Sequence, residues 1–412
     1  MQRTSPPAPA GRAVPYAVAR PDPGLPVPAY WAERIAAGLP GRAAAGPPGG
    51  GAEVRAAAAG HWDRRGLPTD AAQTAAGPGA EPLLLALLAA IGGDVVVARP
   101  SAAWHAPPVR LLGRTPVAVP TPSVGGGAPD PFALLEAVRR AREDGADPRV
   151  VVLAAADDPS GTVTPPELLH EVCEAAEEAG LLLVSDETYG DTVHRPHGTT
   201  LLSPAEMLPA RTVVLSDLGA ALAPPGWPAA VLRFPATERG MSLRTAVLRH
   251  CAELGALLPG PVAEAAANAL SEPAAVRAHL AAANRLHAAV ARAAYDVVAG
   301  AGALSRPPEA GFHLYADFGP LRSGLAAAGV TDAAGLEAVL TERLGHPAPG
   351  GHRFGDDPAA LRVRIDTGPL HGGDDAQRRA ALDSPSPVAL PHVAARLAAL
   401  ASVLTALGGT AR

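Results

Sequence analysis

The chain has no lysine: its 34 basic residues are all arginine. Every fixed positive charge is therefore a guanidinium, which keeps its proton and cannot form an imine with a carbonyl. That excludes a lysine Schiff base, a lysine nucleophile and a lysine phosphate clamp. Aromatic residues are also scarce, with five Phe, five Tyr and four Trp in 412 residues. Ala, Gly and Pro take their place, a bias that GC-rich coding produces without any demand from the fold. Cysteine is limited to Cys173 and Cys251, and no Cys-x-x-Cys or Cys/His ligand spacing occurs. This argues against structural disulfides and zinc, and no metal is expected; a reducing, cytoplasmic setting is. The net charge of -6 argues against non-specific binding to nucleic acid. The longest apolar stretch, 81–100, is broken by Gly92-Gly93-Asp94 and is too short to span a bilayer. The N-terminus has no charged start followed by an apolar core, so no signal peptide and no membrane partner are expected.

What is present is ample apolar material, 48% of the residues, enough for a large core and two or three domains. Residues 1–50 are rich in Pro and Gly and read as a partly disordered arm, with a short helix around Tyr30-Trp31. From Ala52 the pattern becomes regular. Helices are predicted over 52–65, 80–91, 131–144 and 165–179. Short apolar strands are predicted at 95–98, 116–119, 150–153, 181–184 and 213–215. All-apolar strands alternating with helices of ten or more residues imply an α/β fold with a mainly parallel sheet covered on both faces. A long helical region, 236–298, follows. A smaller α+β segment closes the chain, with strands at 311–317 and 361–366 and a last helix at 391–407. The expected division is an arm over 1–50, a large α/β domain over 51–290 and a small α+β domain over 291–412.

In such sheets ligands bind beyond the carboxyl ends of the strands. Three of those ends carry polar residues: Asp157-Asp158-Pro159-Ser160-Gly161, Ser185-Asp186-Glu187-Thr188-Tyr189-Gly190 and Ser216-Asp217-Leu218-Gly219-Ala220, the last leading to Pro224-Pro225-Gly226-Trp227-Pro228. In this order they resemble the core of the class I/II pyridoxal-phosphate aminotransferases of fold type I. Gly77-Pro78-Gly79-Ala80-Glu81 before a helix, Gly92-Gly93-Asp94-Val95 with Arg99-Pro100-Ser101, Glu309-Ala310-Gly311-Phe312 and Leu361-Arg362-Val363 extend the resemblance over about residues 50–407.

The resemblance implies site residues. Asp186 matches the aspartate that pairs with the pyridine nitrogen, and Tyr189 the tyrosine on the ring hydroxyl. Asp158 stands where a neutral asparagine is expected. Gly79, Ala80 and Ser216 fall at positions that hold the cofactor. Arg362, with Arg364 as a nearby rival, matches the arginine for the substrate carboxylate. His194 and His197 are further proton carriers to consider. Three positions depart from the pattern. The lysine of the internal aldimine is replaced by Gly219 or Ala220, the phosphate-clamping arginine by Pro228, and the stacking aromatic by Ala102, with Trp104 displaced by two.

Loss of the lysine removes nucleophile and general base together. The expectation is therefore a diverged biosynthetic enzyme acting on an amino-acid-like or small carboxylate substrate, for which ordinary transamination is unlikely. The alternative is a non-catalytic pseudoenzyme serving as partner subunit or small-acid binder. Pyridoxal phosphate or pyridoxamine phosphate is one expectation for the cofactor, and none the other. The family implies a homodimer, or a heterodimer with an active paralogue.

Overall fold

The structure is a computed structural model that describes residues 20–39, 46–122, 125–195 and 198–408. The valine-rich runs become strands because β-branched side chains are stiff at χ1 and pack well on a pleated surface. A seven-stranded sheet is built from β1 (Thr74–Gly77), β2 (Asp94–Arg99), β3 (Val117–Pro120), β4 (Pro148–Ala154), β5 (Leu182–Asp186), β6 (Thr212–Asp217) and β7 (Ala230–Arg233). Their order is β1-β7-β6-β5-β4-β2-β3. Strands β3, β2, β4, β5 and β6 pair in parallel, while β7 runs antiparallel to both of its neighbours. The mainly parallel α/β architecture read from the sequence is the observed one.

Helices α1 (Ala29–Gly38), α2 (Ala52–Arg64), α3 (Ala80–Ile91), α4 (Ala106–Leu111), α5 (Pro131–Glu143) and α6 (Pro166–Glu178) surround this sheet. Successive strand residues point to opposite faces. Val95 and Val97 therefore join Leu83, Leu87 and Val152 in one core, while Val96 joins Val151, Leu134 and Val172 in another. A strand buried on both faces must be apolar throughout.

Strands β8 (His313–Asp317) and β9 (Arg362–Asp366) form a second, antiparallel sheet. It packs with Leu286, Val290, Leu336, Leu340, Leu400 and Leu404 in a separate core. The single helical region read over 236–298 is three helices, Glu238–Leu254, Gly260–Leu270 and Ala274–Gly300, the last two each starting directly after a proline. Proline suits a helix start because its missing N–H would be unpaired there. The last of these helices runs through position 290, where the large domain was expected to end.

In the N-terminal arm, α1 forms around Tyr30-Trp31 as expected. Trp31 is buried and its indole N–H donates to the carbonyl of Leu222. Much of the expected disorder falls on residues 1–19 and 40–45, outside the described residues. Among the described residues no helix is long and apolar enough to cross a membrane.

Candidate active site

Parallel strands β5 and β6 both end in a buried aspartate, Asp186 and Asp217, at the edge of the sheet where ligands bind. Asp186 Oδ1 accepts the backbone N–H of Thr188 at 3.0 Å. Its Oδ2 lies 2.9 Å from Nε2 of His105, which is itself buried. His105 Nδ1 is buried with no hydrogen-bond partner among the described residues, and the Trp104 ring stands edge-on to the imidazole at 4.5 Å.

Asp217 makes a denser set of contacts. Its Oδ2 accepts the N–H of Ala80 at 3.0 Å and its Oδ1 the N–H of Gly219 at 2.8 Å. Arg20 Nη1 donates to Oδ2 at 3.1 Å, and Arg20 Nε reaches Glu81 Oε1 at 2.7 Å. Ala80 is the first residue of α3, so the carboxylate sits where unpaired helix N–H groups and the positive end of the helix dipole attract an anion.

From the second sheet comes Arg364, fully buried. Its Nη1 lies 2.8 and 3.1 Å from the two carboxylate oxygens of Asp158, and its Nε donates to Asp366 Oδ1 at 2.7 Å. Burial works to lower the Arg364 pKa, but Asp158 and Asp366 outweigh it and hold the guanidinium charged. Burial pushes the Asp366 carboxyl up to about 6, although Arg364 pulls it back. Tyr189 is buried with its ring edge-on to Phe312 and His313. Burial first, and then the charge of Asp158, raise its phenol well above the ordinary value. It is therefore a neutral donor.

Asp158, Tyr189, Asp217, Gly219, Ala220 and Trp104 line one cavity of about 90 Å³. The structure thus brings Asp158 and Tyr189 into a common cavity, with Asp186 beside it on His105. Ala80 meets this site through its N–H on Asp217, and Gly79 lies against Pro228 and Asp217. Ser216, one residue earlier in β6, turns to the other side of the strand and lines a separate cavity of about 220 Å³ with His61 and Glu187. Arg362 does not reach the cavity: its Nε donates to Asp317 at 2.9 Å and its Nη1 to Asp356 at 2.9 Å, with the side chain 39% exposed. Its rival Arg364 is the arginine that joins Asp158. The ring nitrogens of His194 lie against the carbonyl oxygens of Gly311 and Pro308, and His197 lies outside the described residues. Sequence reading gave no role to His105, Arg20 and Asp366, which do not stand out by type or spacing, nor to Asp217, although it ends β6 as Asp186 ends β5. Trp104 lines the cavity although it follows the expected aromatic position by two residues.

The cup at Ala80, as closed by Asp217 and Arg20, does not fit the phosphate of a vitamin B6 cofactor. The N–H groups of Ala80 and Gly219, and the Arg20 guanidinium, are already turned to a carboxylate, and a phosphate placed beside Asp217 would face like charge. Ala220 brings no amine to the cavity and Pro228 no cation. The volume is also well below the roughly 300 Å³ of the smallest ordinary ligand pockets.

The family described as "Aminotransferase class I and II" matches residues 22–368. A probable aspartate/prephenate aminotransferase of Thermus aquaticus is 33% identical over 187 residues, which are 44% of this chain and 46% of that protein. The Thermus thermophilus aspartate/prephenate aminotransferase is 32% identical over an equal span. The chain thus spans about half the length of the curated relatives it matches. Solved structures similar in fold include Thermus thermophilus aspartate aminotransferase with maleate, with a TM-score of 0.73 at 23% identity over 90% of each chain. N-succinyldiaminopimelate aminotransferase from Mycobacterium tuberculosis also has a TM-score of 0.73, at 23% identity, covering 95% of this chain and 92% of its own.

These findings overturn the expectation of a diverged enzyme for which ordinary transamination is unlikely, and with it the alternative of a non-catalytic partner subunit or small-acid binder. The relatives that match are aminotransferases by name, and the family pattern runs through both sheets. The chain belongs to the class I and II aminotransferase family.

Proposed function

We propose that the chain carries out amino-group transfer between an amino acid of the aspartate class and a 2-oxo acid. The observation that supports this most is Arg364, a fully buried guanidinium beside Tyr189 and the strand-end cavity, in a chain whose curated relatives are aspartate/prephenate aminotransferases. A planar guanidinium pairs with a carboxylate through two parallel hydrogen bonds, and substrates and products of this class all carry one.

The side chains have distinct parts in this reading. Arg364 takes the substrate carboxylate in place of Asp158, whose oxygens occupy its Nη1. Asp186 keeps a buried acceptor beneath the site. Tyr189, held neutral by burial, donates a hydrogen bond. His105, with one ring nitrogen on Asp186 and the other without a partner among the described residues, holds or passes a proton. Pyridoxal or pyridoxamine phosphate supplies the electron sink for this reaction class when bound. A chain with no lysine holds such a group without a covalent bond, and only after the cup at Ala80 is cleared.

The test is transfer of a ¹⁵N label from aspartate to 2-oxoglutarate by the purified full chain with added pyridoxamine phosphate. Labelled glutamate formed faster than in a protein-free mixture is the expected result. Formation at the protein-free rate, across the aspartate-class donors, removes this reading.

A further inference from the structure

The start of α3 resembles an anion site with its anion built in. Ala80 and Gly219 donate backbone N–H groups at 3.0 and 2.8 Å to the two oxygens of Asp217, whose side chain is 4% exposed. The third donor, Arg20, comes from far away in sequence and covers the carboxylate from the solvent side, with its other nitrogens on Glu81. Arg20 leads into the segment 20–24, which carries no helix or strand. Four residues later Gly24, at φ +63°, lies so close to Gly368 that a Cβ on Gly24 would stand 2.1 Å from the Gly368 carbonyl oxygen. A Cβ on Gly368 would stand 1.9 Å from the carbonyl oxygen of Asp22. The segment 20–24 is thus seated at one end on the turn after β9 and latched at the other on Asp217. Pro21 and Pro23 line the cavity between the two anchors.

We propose that Asp217, latched by Arg20, is an internal substitute for a bound phosphate, and that segment 20–24 must lift before any phosphate-bearing ligand enters the cup. A carboxylate answers the helix N–H groups as a phosphate would, because both offer anionic oxygens to the same donors. The two anions cannot share the site, since the N–H groups of Ala80 and Gly219 and the Arg20 guanidinium already serve Asp217, and its charge repels a second anion a few ångströms away. The side chain that closes the cup is therefore also the one that selects against phosphate. The inference rests on the amino-transfer reading only for the choice of probe. Binding is read without activity, so a failed ¹⁵N transfer leaves it standing and a failed binding test leaves the transfer result standing.

The experiment is calorimetric titration of the full chain with pyridoxamine phosphate, and with pyridoxamine as the phosphate-free control. Wild type, Asp217→Ser and Asp217→Asn are compared. The wild type is expected to bind pyridoxamine at least tenfold more tightly than pyridoxamine phosphate. Both variants are expected to bind pyridoxamine phosphate at least tenfold more tightly than wild type, about 1.4 kcal/mol, with pyridoxamine unchanged. The near-isosteric Asp217→Asn keeps the acceptor for Gly219 and decides the question if the serine variant melts early. Wild type that favours the phosphate compound by tenfold or more, or variants that gain nothing, overturns the proposal.

Discussion

Arg364 and Asp158 form a fully buried ion pair across 206 residues of sequence, with one guanidinium nitrogen 2.8 and 3.1 Å from the two carboxylate oxygens. It ties the second sheet to the loop after β4, and Asp366 takes a further side of the same guanidinium at 2.7 Å. A buried pair of this kind adds little net stability compared with well-packed apolar groups, but removing one partner leaves an uncompensated charge.

Arg364→Met is therefore predicted to lower unfolding stability by about 3–5 kcal/mol. Adding Asp158→Asn to it should restore part of the loss, because one of the two stranded carboxylates is then neutral. Urea unfolding of the single and double variants measures this. Equal stability of the two variants would place the cost elsewhere.

The contribution of two buried acids to stability is predicted to fall as pH rises from about 6.5 to 8. Burial pushes Glu187 up to about 7 from 4.5 and Asp157 up to about 7 from 3.8. Both acids bind their protons more tightly folded than unfolded. Their contribution is complete below the unfolded values and is lost as pH passes the folded ones. Below about 6.5 the sign is mixed. Burial lowers His313 and His371 to about 4, and these favour the folded chain increasingly as pH rises towards 6.5. From about 6.5 to 8 each acid loses roughly 1 kcal/mol, while the histidines that burial lowers, His194, His279, His287, His313, His346 and His371, still gain as their unfolded forms finish losing protons. Glu187→Gln, which keeps a polar group for Ser185 and Ser203, removes its share, so between about pH 6.5 and 8 its urea midpoint should fall less, or rise more, than that of the wild type.

Gly368→Ala should dislodge segment 20–24, since the new Cβ has no room against Asp22. Faster amide hydrogen exchange at Gly24 and Leu25, with unchanged exchange in β4 and β5, is the expected pattern. Slow exchange at Gly24 in the variant would mean that the turn after β9 yields instead of the segment.

Much of the large sheet was legible in the sequence because strands buried on both faces have to be apolar, and Val150 to Leu153 or Val213 to Leu215 can be little else. Strands β1 and β7 were not legible. Each is four residues long, Thr74–Gly77 and Ala230–Arg233, too short to show a period. The choice between Arg362 and Arg364 was undecidable for a related reason. Residues two apart on a strand share a face, so alternation cannot separate them. Their depth along β9 does, setting Arg362 on Asp317 and Asp356 and Arg364 on Asp158. Asp186 and Tyr189 could be picked out by their place after β5. Asp217 sits in an equivalent place after β6, but its meaning lies in contacts to Ala80 and Arg20, 137 and 197 residues away, which no local pattern records.

The most direct test of amino-group transfer is a single turnover. The full chain is mixed with an equal amount of pyridoxamine phosphate and an excess of oxaloacetate, and aspartate is counted by mass spectrometry. The account predicts aspartate approaching one per chain, formed faster than without protein, with Arg364→Gln losing at least tenfold in rate. Aspartate forming at the protein-free rate, in wild type and in Asp217→Ser alike, would contradict it.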